Sequence, residues 1–438
     1  MATYDLSQVE VNTLLSTGNL DVSVKNFVLN YLFESGGNNS NHGNGNNGTG
    51  NFGSDNNDNN ANDTAAAAAG ASTAAGHDDH GQGNNDDPRG NHGHGDDQGQ
   101  DDHGHDDDHG HGSGNGNGQG HDGDHGNGHG HGHDDTIVVQ VSDGTQPLDP
   151  KAQLLDLTTA HASVTTDSNL EAIVQNVAGS TDLSVFGHQN VLVATGIGDN
   201  LVTLNDSGND IVLTGSGNDT VFGGSGQDSI FGGAGNDSLV AGTGGHQLLS
   251  GEDGKDTLFG GSGNFDTMTG GGGQDLIFGG AGGHQVLQGD DGQDQLFAGT
   301  GNQQLLSGGA GSDTLVGGSG SSDTLSGGTG NDVLVAGNGA NQILDGGGGD
   351  DTLSAGSGGD TLIGGSGDDT FQISLHAGND MVVGGSGTNS IDFTDRASTD
   401  ATIQDVGGVI SVHFSDGQVV SGSGIQNLVF TDKTEHLP

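Results

Sequence analysis

The chain has 438 residues, in which 59 Asp and Glu stand against 6 Lys and Arg, a formal net charge of -53. That field repels nucleic acid and anionic membranes, and 92 glycines with only 28% hydrophobic and 4% aromatic residues exclude a conventional globular core of this size. The absence of cysteine leaves oxygen and imidazole as the only metal ligands and rules out a disulfide framework.

Residues 1–36 predict a short helical module. Ser7 and Glu10 form a capping box, with Leu6 and Val11 as its apolar staple. Val24, Phe27, Val28, Tyr31 and Leu32 then make one helical stripe that ends at Glu34-Ser35-Gly36-Gly37. So short a module cannot bury the stripe alone, so it must dock on the rest of the chain, on a second copy, or on a partner. The opening MATYDLSQVE has no basic start or apolar stretch of a cleaved leader, and no run approaches the roughly 18 apolar residues of a transmembrane segment.

Residues 37–135 are Gly, Asn, Asp, Ala and His, a composition that cannot offset ordering entropy and predicts a disordered tract. Between His77 and His133 it carries 13 His, and alternation such as His129, His131 and His133 suits Zn2+, Ni2+ or Cu2+. The other reading is a solvated spacer held open by like charges. Residues 136–204 return to strand-like runs (Ile137-Val138-Val139, Ala172-Ile173-Val174, Val191-Leu192-Val193, Leu201-Val202), a β-rich entry to the periodic region beyond them.

Residues 205–370 are periodic. Asp210, Asp219, Asp228 and Asp237 recur at nine residues, and from Gly245 a 19-residue unit runs six times without insertion. Each unit holds two short strands and two Gly-rich turns, which defines a solenoid. Leu249, Met268, Leu287, Leu306, Leu325 and Leu344 form one apolar column, and Leu258, Ile277, Leu296, Leu315, Leu334 and Leu353 the facing one. Gly251, Gly270, Gly289, Gly308, Gly327 and Gly346 form a column at the turns.

Segments such as GGAGSDTLV (308–316) and GGTGNDVLV (327–335) resemble the RTX, or haemolysin-type, calcium-binding family, whose nonapeptide is G-G-x-G-x-D-x-U-x with U a large apolar residue. The resemblance implies an all-β fold, a right-handed parallel β-roll with Ca2+ held between stacked turns by Asp carboxylates and main-chain carbonyls. It also implies type I secretion directed by the C-terminus.

Alternate turns separate two edges. One reads Asp219, Asp237, Asp256, Asp275, Asp294, Asp313, Asp332, Asp351 and Asp369. Stacking sets these carboxylates about 5 Å apart, where like charges repel by about 3 to 4 kcal/mol at an effective dielectric near 20. Ca2+, with its many flexible oxygen ligands, suits the gaps better than Mg2+, and nine loops leave about eight ion positions. The other edge reads Asp210, Asp228, Gln247, Asp266, Gln285, Gln304, Asp323, Gln342 and Asp360, a departure from the family pattern. Gln cannot neutralise a divalent ion, so stacked amides are expected to form a neutral hydrogen-bonded ladder. Calcium should be sparse there, with Asp210 and Asp228 the best pair and Asp360 a further candidate. His246 and His284 read as turn residues beside this column.

Residues 371–438 lose the repeat. Ile410–Phe414, Gln418–Val420 and Asn427–Phe430 predict strands that cap the open end of the roll, and the family resemblance places a type I export signal in the same region. No HExxH helix or GxSxG elbow occurs, and nothing before the repeats has the apolar content of an enzyme domain. The expectation is a secreted, non-enzymatic calcium-binding structural protein of the cell surface or extracellular matrix, adhesin-like or assembling into a homo-oligomer or fibre and folding on Ca2+ outside the cell. The alternative is a cation scavenger in which the His/Asp tract is the working part.

Overall fold

The computed structural model describes residues 2–6, 8–16, 19–33, 136–141, 152–375, 378–393 and 395–438. The expectations for the Gly/His/Asp tract and its transition metals lie outside the described residues.

Two parallel sheets face each other, and the chain winds alternately through them. One runs from Leu154–Leu157 through Leu248–Gly254 and Ile343–Gly348 to Met381–Ser386; the other from His161–Thr165 through Thr257–Phe259 to Asn427–Phe430. The pairing register equals the sequence period, since Leu249 lies beside Met268 and Met268 beside Leu287. Likewise Leu258 pairs with Ile277 and Ile277 with Leu296. Both apolar columns are fully buried and meet in a core one side chain deep on each side. A single coil would leave its leucines in water; stacking removes them from it.

The coils begin well before the repeat motif. Leu155, Ile173, Val193 and Val212 continue the first column, and Leu183, Val202 and Val221 the second. Helices α1 (Gln8–Ser16) and α2 (Val22–Phe33) dock on the outside of the first sheet at this end. Val11, Leu15, Val24, Val28 and Leu32 pack there with Leu154, Ala172, Leu192, Leu213 and Phe231. The helical stripe therefore finds its cover within the chain. An unanticipated strand, Ala2–Leu6, pairs antiparallel with Thr136–Val141 and brings the two sides of the low-complexity tract together.

At the far end the hairpin Ala401–Val406/Val409–Phe414 continues to Val419–Ser423, which rejoins the first sheet beside Met381–Ser386. Phe393, Phe414 and Phe430 close the core. Buried Arg396 lies 4.0 Å from the Phe414 ring centroid and is paired with Asp416 and Gln418. These strands cover the far end of the core, but the coils run on past residue 370, the expected end of the repeat: Met381–Ser386 and Ser390–Phe393 still pair parallel with the coil before them.

Candidate functional site: two turn columns

Turn carbonyls point along the solenoid axis on both edges. A Cβ built on Gly254 would fall 1.4 Å from the Gly235 carbonyl oxygen, and one on Gly282 would fall 1.5 Å from that of Gly263. Only glycine lets successive turns approach this closely. The carbonyls so aimed need partners, and the two edges supply them differently.

On the acid edge the carboxylates link coil to coil. The backbone N–H of Asp219 donates to Asp237 Oδ1 at 2.7 Å, that of Asp256 to Asp275 at 2.8 Å and that of Asp313 to Asp332 at 2.8 Å, and the pattern continues to Asp351 and Asp369 at 3.0 Å. All nine side chains from Asp219 to Asp369 are at most 2% exposed, and Oδ2 of every one lacks a hydrogen-bond partner. These oxygens sit over the glycines five residues earlier: a Cβ on Gly251 would lie 2.3 Å from Asp256 Oδ2, and one on Gly308 2.4 Å from Asp313 Oδ2. The result is a run of cradles lined by oxygen and closed to side chains.

Burial is the first cause of the raised carboxyl pKa values along this column. It pushes Asp219, Asp256, Asp294 and Asp313 up to about 6, and Asp237, Asp275 and Asp351 up to about 7, with repulsion between neighbouring coils adding to it in several. Desolvation therefore outweighs the repulsion between stacked charges that sequence spacing emphasised.

Asn residues end the column. Asn200 donates its N–H to Asp219 Oδ1 at 2.7 Å, while its Nδ2 donates to the carbonyls of Gly196 at 2.9 Å and Gly198 at 2.7 Å. At the other end Asn389 Oδ1 accepts the Asp369 N–H at 2.9 Å, and its Nδ2 donates to the Gly424 carbonyl at 3.0 Å.

The amide edge repeats that device internally. Oε1 of Gln247, Gln285, Gln304 and Gln342 accepts the backbone N–H five residues earlier, at 2.7 to 2.9 Å. Nε2 of Gln304 donates to the carbonyls of Gly282 and Gly301, at 3.4 and 3.3 Å, and that of Gln342 to Gly320 at 3.3 Å. The expected amide-to-amide ladder is absent among the described residues. Each Gln satisfies backbone instead, and none leaves a buried polar atom without a partner.

The same turns explain the 19-residue period. GGSGNFD (260–266) is one residue longer than GEDGKD (251–256), and the added residue takes the left-handed region: His246, Phe265, His284, Gln303, Ser322 and Asn341 have φ between 58° and 66°. His246 and His284 are turn residues, stacked on either face of Phe265 at 5.0 and 4.8 Å.

Aspartates on the amide edge keep the acid-edge geometry where they adjoin one another. The Asp210 N–H donates to Asp228 Oδ1 at 3.0 Å, and that of Asp360 to Asp380 Oδ1 at 3.0 Å, with Oδ2 unpartnered in all four. Burial first, then Asp206 and Asp228, push Asp210 up to about 8. Asp266 differs, because Gln285 Nε2 donates to its Oδ2 at 3.2 Å, whereas Asp323, set between Gln304 and Gln342, accepts the Gln304 N–H at 3.0 Å and leaves Oδ2 buried without a partner. Sequence reading missed Asp380 and Asp206. Asp380 lies 20 residues after Asp360, out of step with the period, and Asp206 stands where later turns have glycine.

A parallel β-solenoid whose tight turns present buried, unpartnered carboxylate oxygens beside aimed carbonyls has a donor set suited to a hard divalent cation. Eight segments (204–239, 240–264, 265–283, 283–302, 305–322, 318–344, 345–371 and 372–392) match the family model described as RTX calcium-binding nonapeptide repeat (4 copies). Residues 204–392 of this protein are an array of RTX calcium-binding repeats. No curated protein matches the chain. Among solved structures it is similar to a hyperactive, Ca2+-dependent, β-helical antifreeze protein from an Antarctic bacterium. The two share 17% identity over 69% of this chain and 95% of that one, with a TM-score of 0.40.

Proposed function

We propose that this calcium-binding solenoid is a secreted, non-enzymatic structural protein of the cell surface or extracellular matrix, and that its acid edge folds around calcium after export. The ligands are Asp219, Asp237, Asp256, Asp275, Asp294, Asp313, Asp332, Asp351 and Asp369, together with Asp210 and Asp228 and with Asp360 beside Asp380 on the other edge. The observation that carries the reading is the unpartnered Oδ2 in every member of the acid column. A buried ionised oxygen without a partner is costly, and one divalent ion per gap would serve two such oxygens and the carbonyls between them. Millimolar calcium outside a cell would close the column; in a calcium-poor interior the same residues resist stacking and leave the chain open to export. Type I export through the segment 371–438, and adhesive or fibrous assembly, complete the proposal. No helix among the described residues is long and apolar enough to cross a membrane.

Calorimetric titration of the full chain, followed in parallel by circular dichroism, tests this. The expected result at pH 8 is uptake of about eight or more calcium ions, coupled to a gain of β-structure. Identical spectra and thermal midpoints in excess chelator and in millimolar calcium would falsify it.

A further inference from the structure

Glu252 and Asp290 stand where other acid-edge turns carry glycine in the left-handed region. Their φ angles are 73° and 69°, and Gly233, Gly271 and Gly309, in register with them, have 100°, 110° and 110°. A side chain is unfavourable in that conformation, and an acid beside a column of carboxylates adds repulsion. Folding alone gives no reason for these two coils to keep one.

The direction of the side chain supplies a reason. A Cβ on Gly271 would fall 2.1 Å from the Glu252 carbonyl oxygen, and one on Gly309 would fall 2.2 Å from that of Asp290. A Cβ at this turn position is therefore aimed toward the coil below, and the carboxyl groups themselves remain within reach of solvent, Asp290 exposed and Glu252 half-buried. The gap beneath the coil of Glu252 lies between Asp237 and Asp256; for Asp290 it lies between Asp275 and Asp294. Oδ2 of all four aspartates is buried and unpartnered. After burial and the adjoining coils, Glu252 helps to push Asp237 up, and Asp290 does the same to Asp275 and Asp294.

Charge balance calls for such residues. Each interior carboxylate of the column is shared by two gaps, so one divalent ion per gap leaves about one positive charge uncompensated in each. We propose that Glu252 and Asp290 each add a carboxylate, directly or through a water, to the ion in the gap beneath its coil, making these two gaps the tightest calcium sites of the acid edge. The inference rests on the calcium reading above. Among the described residues no three acidic or imidazole side chains converge ready to hold a metal, so both side chains close onto the ion as it binds. Gly271 and Gly272 fill the intervening coil. The two acids are thus two coils, about 10 Å, apart, beyond the roughly 8 Å screening length that adjacent coils would fall within.

The test is calcium competition against a chelating indicator, with the full chain and with Glu252→Gly, Asp290→Gly, Glu252→Gln and the double glycine variant. Wild type should retain two ions at a free calcium level where the double variant has lost them, and each single variant should weaken one ion about tenfold. Glu252→Gln, which keeps the backbone conformation and loses the charge, should match Glu252→Gly. In chelator the glycine variants should melt at or above the wild-type temperature. Wild type that binds calcium with an isotherm the glycine variants reproduce overturns this inference alone. Wild type that binds none overturns the calcium reading as well.

Discussion

In one coil, Gln304 and Asp313 face opposite edges. Gln304 Nε2 reaches the carbonyls of Gly282 and Gly301, its Oε1 takes a backbone N–H, and the turn is complete. Asp313 takes one N–H from Asp294 on Oδ1 and leaves Oδ2 buried with nothing to bond. Both turns crowd carbonyls into a gap. The amide edge meets them with NH2 groups built into the chain, whereas the acid edge waits for a cation from solution. Asn200 and Asn389 place the amide solution at the two ends of the acid column, so the ion-dependent stretch has neutral, self-satisfied boundaries. The Gln-bearing turns are thereby preformed and the acid column is conditional.

The strongest way to break this contrast is pH in the absence of calcium. Burial raises the acid-edge carboxyls to about 6 or 7 in the folded chain, against about 3.9 unfolded. Between those values the folded state holds more protons than the unfolded state, so stability falls as pH rises. Protons thus stand in for ions: in chelator the chain should be more stable near pH 5 than near pH 8. After discounting for screening, the difference is on the order of 5 kcal/mol, or roughly 10 °C in midpoint. Calcium affinity should rise over the same interval. Thermal melts in chelator that are flat from pH 5 to 8 would break the contrast.

Exchanging the chemistry between edges comes next. Gln304→Glu removes the donors to two carbonyls and buries a charge, and should cost about 2 to 3 kcal/mol in chelator, part of it recovered with calcium. Asp313→Asn should do the reverse, neutral or stabilising in chelator with the ions of both flanking gaps weakened. Denaturant midpoints with and without calcium measure both. Equal calcium responses in the two variants would show that the edges are not chemically distinct.

Much of this was legible in the sequence because a solenoid turns period into position. Leu249 predicts Met268 as its neighbour by arithmetic alone, and the acid column comes from the same step. The Gln residues were legible as a departure, but their role was not. An amide ladder and an amide bonded to backbone differ only in where a flexible side chain points, which the one-residue lengthening before Gln247 and Gln285 decides. Asp380 escaped because the coil from Asp360 is longer than its predecessors. The pairing of Ala2–Leu6 with Thr136–Val141 had no local signal at all, since strand pairing across so many residues leaves no spacing to read.

The smallest expected effect separates the edges by a single methyl group. The residue that opens each turn is Gly on the acid edge from Gly232 through Gly251 and Gly308 to Gly364, whereas the amide edge has Ala241, Ala298, Ala336 and Ala355 among its glycines. Neither Gly308 nor Gly279 has positive φ, so backbone conformation does not explain the difference. The cradle does. A Cβ on Gly308 would lie 2.4 Å from Asp313 Oδ2 and 2.6 Å from the Gly327 carbonyl, the oxygens proposed to hold calcium. One on Gly279 would meet the Gly299 nitrogen at 2.9 Å and two Gln oxygens at 3.0 Å, contacts that the native alanines show can relax. Gly308→Ala should therefore cost about 2 kcal/mol and weaken one ion, and Gly279→Ala less than about 1 kcal/mol with calcium uptake unchanged. Melting in calcium, with an ion count for each variant, compares them. Equal losses would mean that the acid-edge glycines serve close packing of the coils and not room for a cation.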